Sequence, residues 1–255
     1  MKIDRTSIIN KNAKIDNDVE IGSFCIIEEN VRIRSGTKIM PYVHILPFTT
    51  IGKNNIIYQG SIIGEIPQDL KYNKEKTELI IGDNNVIREY CTLNRGTSDL
   101  GKSVIGNNCL LMAYVHVAHD CIIENSVILA NGVQLGGHCE IGYHAIIGGM
   151  TPVHQFCKVG DHSFIGGGRV ILQDVPPFIL ANGEPLKYSG INSVGLRRRN
   201  FSQAVRSIIK KVYSIVYRSK FNTMQAIEII EKSIKPSEEV INILNFIKDS
   251  ERGII

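Results

Sequence analysis

Isoleucine recurs at every sixth position from Ile3 to Ile63. The register resumes at Ile81, Ile87 and Leu93, then runs from Ile105 through Leu111, Val117 and Ile123 to Ile171, every step aliphatic. Only Asp69, Glu75 and Asp99 interrupt it. An amphipathic helix needs apolar residues three or four apart and a half-buried strand needs alternation, so a period of six fits neither. It fits a solenoid in which each hexad gives one short strand and a turn, and three hexads close a triangular coil. The pattern predicts a mainly β chain, a parallel β-helix of hexapeptide repeats over residues 1–190.

A second position supports this reading. Cys25, Cys91, Cys109, Cys121, Cys139 and Cys157 all fall four residues after a hexad aliphatic, a position otherwise held by residues such as Ser7, Ala13, Val115 and Ala145. It reads as a tight inward site where reduced cysteine acts as a small hydrophobe. No Cys-x-x-Cys pair suggests zinc or redox work.

Two stretches leave the register. Residues 64–80 (GEIPQDLKYNKEKTELI) and the shorter 98–104 read as loops thrown out from corners, where binding residues tend to sit. Gln173 to Pro177 reads as the end of the coil, because proline cannot donate to a ladder. A connecting segment from 172 follows, irregular over 178–196. From Asn200 the period is helical. Val205, Ile208, Ile209, Val212 and Ile215 form one stripe behind a Ser202 cap. Two further helices are predicted, one starting near Thr223 and one at Pro236-Ser237-Glu238. Residues 191–255 are therefore expected to form a C-terminal α-helical domain.

Composition narrows the function classes. The chain of 255 residues is 43% hydrophobic, ordinary for a globular protein. No stretch approaches membrane-span length and no charged leader precedes an apolar run, so a soluble, cytoplasmic protein is expected. A net charge of +4 is too small to imply nucleic-acid binding. Its distribution matters more. Residues 1–194 hold 17 Lys and Arg against 19 Asp and Glu, whereas 195–255 hold 12 against 6.

Counting in eighteens locates the chemistry, since such residues share an edge of adjacent coils, about 4.8 Å apart. Five of the seven histidines lie within 116–154. His119 takes a turn position, with Gly137 and then Gln155 above it, and Asp120 heads the next column with His138 above. That arrangement offers a general base, a carboxylate partner and a backbone oxyanion donor. The competing readings are polar surface, to which His44 and His162 are assigned, and a metal site. Hexapeptide carbonic anhydrases hold zinc through a histidine pair five apart, a spacing absent here, so no metal is expected.

The runs LMAYVHVAHDC (111–121) and IGGMTPVHQFC (147–157) resemble segments of the UDP-N-acetylglucosamine O-acyltransferases of lipid A biosynthesis. So do PQDLKY (67–72), NRGT (94–97), QDVPP (173–177) and GLRRR (195–199). The resemblance implies a left-handed coil, a homotrimer with sites between subunits, and no cofactor. The implied reaction moves a 3-hydroxyacyl chain from acyl carrier protein to the sugar 3-hydroxyl of UDP-N-acetylglucosamine. His119 would be the base, Asp120 its orienting partner and Gly137 the oxyanion donor. His116, His138, His154 and Gln155 would line the substrate sites, joined by Gln68, Asp69 and Lys71 from the loop and by Asn192, Arg198 and Arg199. Gly167 would end the acyl groove, and the basic tail suits an acidic carrier. The chain departs from the family at Asn94, a substrate-facing position where members have histidine, and at Val194, where an acidic residue is common. Those departures keep open a 3-amino sugar acceptor. An acetyl-CoA-dependent sugar acetyltransferase and a non-enzymatic scaffold are the other classes.

Overall fold

A computed structural model describes residues 2–219 and 221–255. Up to Asn182, strands of two to four residues follow one another around three faces, and each pairs in parallel with the strand one coil away. Ile105 pairs with Ile123 and then Ile141 with Val159, the spacing of eighteen expected from the hexads. The three resulting sheets hold 11, 8 and 8 strands. The coil is a left-handed parallel β-helix. The usual right-handed crossover arises when twisted strands feed a helix that packs back on the sheet. Two-residue strands joined by tight corners escape that constraint.

Every hexad aliphatic from Ile21 onward points inward and is buried, and the six cysteines are buried free thiols beside them. Each buried isoleucine contributes roughly 1.5–3 kcal/mol. Ile3 stays exposed and Ile9 and Ile15 only half-buried, because a coil covers them on one side alone. Burial pushes the Cys91 thiol up to about 12 and Cys109 and Cys157 up to about 11, so all three stay protonated and inert.

The corners repeatedly place a non-glycine residue in the left-handed region, as at Asn54, Asn84 and Asn108 (φ +54°, +58° and +58°). Asparagine tolerates this conformation better than most residues. Inside that edge, Thr37, Asn55 and Asn85 form a buried polar ladder. The Asn55 amide donates to Gly82 O, and its carbonyl accepts the Asn85 N–H.

The first excursion is shorter than expected because the ladder reclaims its ends, and the second keeps its length but starts and stops three residues earlier. Strands Ile62–Glu65 and Glu78–Ile81 bracket a loop over 66–77, and Thr92–Asn94 and Lys102–Ile105 bracket one over 95–101. The coil also continues past the prolines. Ile179–Asn182 pairs in parallel with Phe164–Ile165, then turns back as the antiparallel strand Lys187–Ile191. The stretch expected to be irregular therefore adds two strands and a short helix, α1 (Ser193–Arg198).

Three helices follow: α2 (Gln203–Arg218), α3 (Thr223–Ser233) and α4 (Glu238–Lys248). Ser202 and Ser237 cap α2 and α4, while Asn222, one residue before the expected start, caps α3 in a capping box with Gln225. The Tyr213 hydroxyl donates to Pro177 O, and Asn242 donates to Asp161 at 2.7 Å, so the helices are fastened to the last coils. Among the described residues, no helix is long and apolar enough to cross a membrane.

Candidate active site

One edge of the coil carries the histidines. His119, Gly137 and Gln155 take the first corner position in successive coils, and Asp120, His138 and Phe156 take the second, with φ of +58°, +60° and +66°. Backbone bonds hold this stack: His138 N–H donates to His119 O and Phe156 N–H to Gly137 O, both at 3.0 Å. His119 lies so close over Gly137 that a Cβ there would sit 2.5 Å from the ring, so only glycine fits beneath it.

Asp120 is the buried centre of the site, 1% exposed. Its Oδ1 accepts the Thr97 N–H at 2.9 Å, and its Oδ2 accepts the Thr97 hydroxyl at 2.7 Å. The same Oδ2 lies 2.9 Å from His119 Nδ1. Burial pushes the Asp120 carboxyl up, but the Thr97 hydroxyl, the His119 ring and the Thr97 N–H together outweigh it and hold it below its ordinary value. An ionised carboxylate there requires the proton on Nδ1 and leaves Nε2 as the acceptor. His138 stands at right angles to His119, stacks on Phe156 at 4.5 Å, and lies 3.6 Å from both Asp120 and Asp99.

These groups open into a cavity of about 330 Å³. Asp69, Lys71, Tyr72 and Glu75 roof it from the loop, Thr97 to Asp99 close one side, and His119, His138, Gln155 and Phe156 form its floor. Arg95 anchors the roof by donating to Pro47 O and to the Tyr72 hydroxyl. Of the residues expected at the site, Asp69, Lys71, His119, His138 and Gln155 thus converge, Asp120 lies directly behind, and Gln68 is exposed on the same loop.

Others lie elsewhere. His116 and His154 are on the adjoining face, His116 bonded to the Thr92 hydroxyl at 2.7 Å and His154 set against Gln155 O. Burial lowers the pKa of His116. Asn94 is buried and donates to Ile66 O at 2.6 Å, so its amide faces the base of the loop and not the cavity. Gly167 lies on a second edge, where a Cβ on Gly148 would strike its backbone. Asn192 caps α1 and donates to His162 O, and Arg199 donates to His144 O at 3.0 Å, both at the third edge. Arg198 is exposed on α1.

His162 corrects the sequence reading. It is 8% exposed, enclosed by Phe178 and Phe201, because the connection and the start of the helical segment cover that edge. Burial, then Arg199 and His144, lower its pKa to about 4. Counting in eighteens would also have found Phe156, directly above His138. It could not find Thr97 or Asp99, which lie outside the hexad register.

His119, Asp120 and His138 are close enough to share a metal ion, with ligand atoms within 4.8 Å. Both Asp120 oxygens, however, already accept protons from Thr97 and His119, so the geometry is that of a proton network.

A coil of this kind defines the hexapeptide-repeat transferases, and residues 30–65 and 102–137 match the family model described as bacterial transferase hexapeptide (six repeats). Residues 174–255 match the one described as UDP-N-acetylglucosamine O-acyltransferase, domain 2. The chain is 48% identical over 255 residues to the acyl-(acyl-carrier-protein)–UDP-N-acetylglucosamine O-acyltransferase of Aquifex aeolicus, covering 100% of this chain and 98% of that one. It is 45% identical to the enzyme of the same name from Thermodesulfovibrio yellowstonii, covering 99% and 98%. The UDP-N-acetylglucosamine acyltransferase structure from Bacteroides fragilis superposes with a TM-score of 0.98 at 45% identity, covering 99% of each chain. The chain belongs to the UDP-N-acetylglucosamine O-acyltransferase family and is an acyltransferase.

Proposed function

We propose that the protein transfers a 3-hydroxyacyl chain from acyl carrier protein to the 3-hydroxyl of UDP-N-acetylglucosamine, the first step of lipid A biosynthesis. The observation that carries this reading is His119 above Gly137, with Nδ1 committed to Asp120 and Nε2 left as acceptor. The sugar hydroxyl attacks the thioester carbonyl while His119 Nε2 removes its proton. The Gly137 N–H, without a partner among the described residues, stabilises the oxyanion. Collapse expels the carrier thiolate, which takes the proton back from the imidazolium. No acyl-enzyme forms, in keeping with six buried thiols.

The division into a coil (1–190) and a basic helical domain (191–255) gives the acidic carrier a surface of complementary charge. The residues assigned to substrate lie on three different edges of one coil, and three edges of a prism face different ways. That spread supports a homotrimer with sites between subunits, in which the His119 edge of one copy meets Gly167, Asn192 and Arg198 from its neighbours.

The deciding experiment offers UDP-N-acetylglucosamine and its 3-amino analogue to a mixture of acyl carrier protein thioesters and identifies products by mass spectrometry. An ester is expected. A predominant amide would replace the acceptor, and acylation from acetyl-CoA alone would replace the donor.

Gly148, Gly149 and the run Gly166 to Gly168 leave the Gly167 edge bare apart from the exposed Met150, which suits the end of an acyl groove. Gly167→Met should therefore shift preference to shorter chains in the same assay. Each excluded buried methylene costs about 0.8 kcal/mol, roughly fourfold. An unchanged chain-length profile would remove Gly167 from the groove.

A further inference from the structure

We propose that Thr97 is a positioning residue for the reaction, acting through Asp120 on the tautomer of His119. This rests on the assignment of His119 as the base. Thr97 sits in the loop over 95–101, is 8% exposed, and has no place in the repeat. It grips both oxygens of one carboxylate, through its N–H at 2.9 Å and its hydroxyl at 2.7 Å. The two contacts fix the rotation of the carboxylate about its Cβ–Cγ bond, which a single contact could not do.

That rotation matters because Asp120 Oδ2 faces two imidazoles. His119 Nδ1 is 2.9 Å away and His138 Nε2 is 3.6 Å away. A carboxylate free to turn could favour His138, and His119 would then exchange between tautomers. With Nε2 protonated, His119 cannot accept the hydroxyl proton. The Thr97 oxygen also accepts the Asp99 N–H at 3.2 Å, and the Asp99 carboxylate reaches toward His138 Nδ1 at 3.6 Å. One loop therefore sets the position of both rings. Gly96 lets it close down, since a Cβ there would overlap the backbone of Lys102.

Thr97→Val keeps the shape and the backbone N–H while removing the hydroxyl. Thr97→Ser restores the hydroxyl without the methyl group. For the valine variant kcat should fall roughly 10- to 100-fold, the effect of losing one hydrogen bond to a charged group. The KM for the nucleotide sugar should stay within about twofold, and serine should recover most of the rate. A second readout needs no substrate. In the full-length protein with 15N-labelled histidine, assigned by difference against His119→Ala, wild-type His119 should appear as the Nδ1–H form. Thr97→Val should show a mixture. Retained kcat, or a reduced kcat with the tautomer unchanged, would overturn the proposal. If His119→Ala kept turnover, the assignment of the base would fail instead, and the tautomer spectra would still decide what Thr97 does.

Discussion

Replacing His119 with alanine should lower kcat by about 10²- to 10⁴-fold, the usual contribution of a positioned general base, and leave the coil folded. The chemical loss follows from the bonding. The lone pair of His119 Nε2 is directed away from Asp120, and among the described residues no other imidazole reaches that carboxylate within hydrogen-bond distance. His138 cannot substitute without moving, because Phe156 holds its ring from above. The structural tolerance follows from burial. The ring sits at a corner outside the apolar core, with 13% of its side chain exposed. Its removal still leaves Asp120 with both Thr97 donors. Steady-state rates at saturating substrates, taken with a thermal melt of the same sample, check the expectation. A variant within tenfold of wild type would show that the hydroxyl proton leaves by another route.

The coil was legible because its period is set by geometry that leaves little choice. A strand position that points inward every six residues, away from the corner carbonyls that satisfy Thr37, Asn55 and Asn85, must be aliphatic, and Ile21 through Ile63 show it without exception. The same periodicity made the His119 edge readable, since residues eighteen apart have to stack. Legibility ended where the register did. Thr97, Tyr72 and Asp99 belong to loops whose course depends on contacts such as Arg95 to Pro47, which no local pattern announces. Asn94 shows the same limit. The motif implied a substrate-facing side chain, whereas its amide turns toward Ile66 O because the loop folds back over it. The strands over 179–191 were missed because they follow two prolines and leave the hexad register, the first pairing sixteen residues back and the second returning on it as an antiparallel hairpin.

His162 should make folding stability fall as the solution is acidified below neutral pH. An unfolded chain protonates this imidazole near its ordinary value of 6.5, whereas the folded chain resists until about 4. A folded-state pKa below the unfolded one means that the neutral form is the one the fold accepts. The stability linked to it is complete above pH 6.5 and is lost as pH falls toward 4, at about 1.4 kcal/mol per unit and on the order of 3 kcal/mol in all. The surroundings explain the resistance. Phe178 stacks on the ring at 5.6 Å and Phe201 meets it edge-on at 5.0 Å. The charged and titratable neighbours are Arg199, which caps the end of α1, and Tyr143 and His144 from the preceding coil; Arg199 and His144 are unfavourable to a new positive charge. His144 is itself lowered by burial and then by Arg199, which adds to the slope in the same sense. The His162 Nδ1 is buried without a partner among the described residues, so His162→Phe removes the proton site without breaking a bond at that atom. Unfolding midpoints of wild type and His162→Phe, measured between pH 5 and 7.5 at one protein concentration, should diverge as pH falls, with the phenylalanine variant flatter. Parallel curves would place the acid sensitivity in carboxylates such as Asp120, whose contribution is lost only at lower pH because its folded-state pKa is already below the ordinary value.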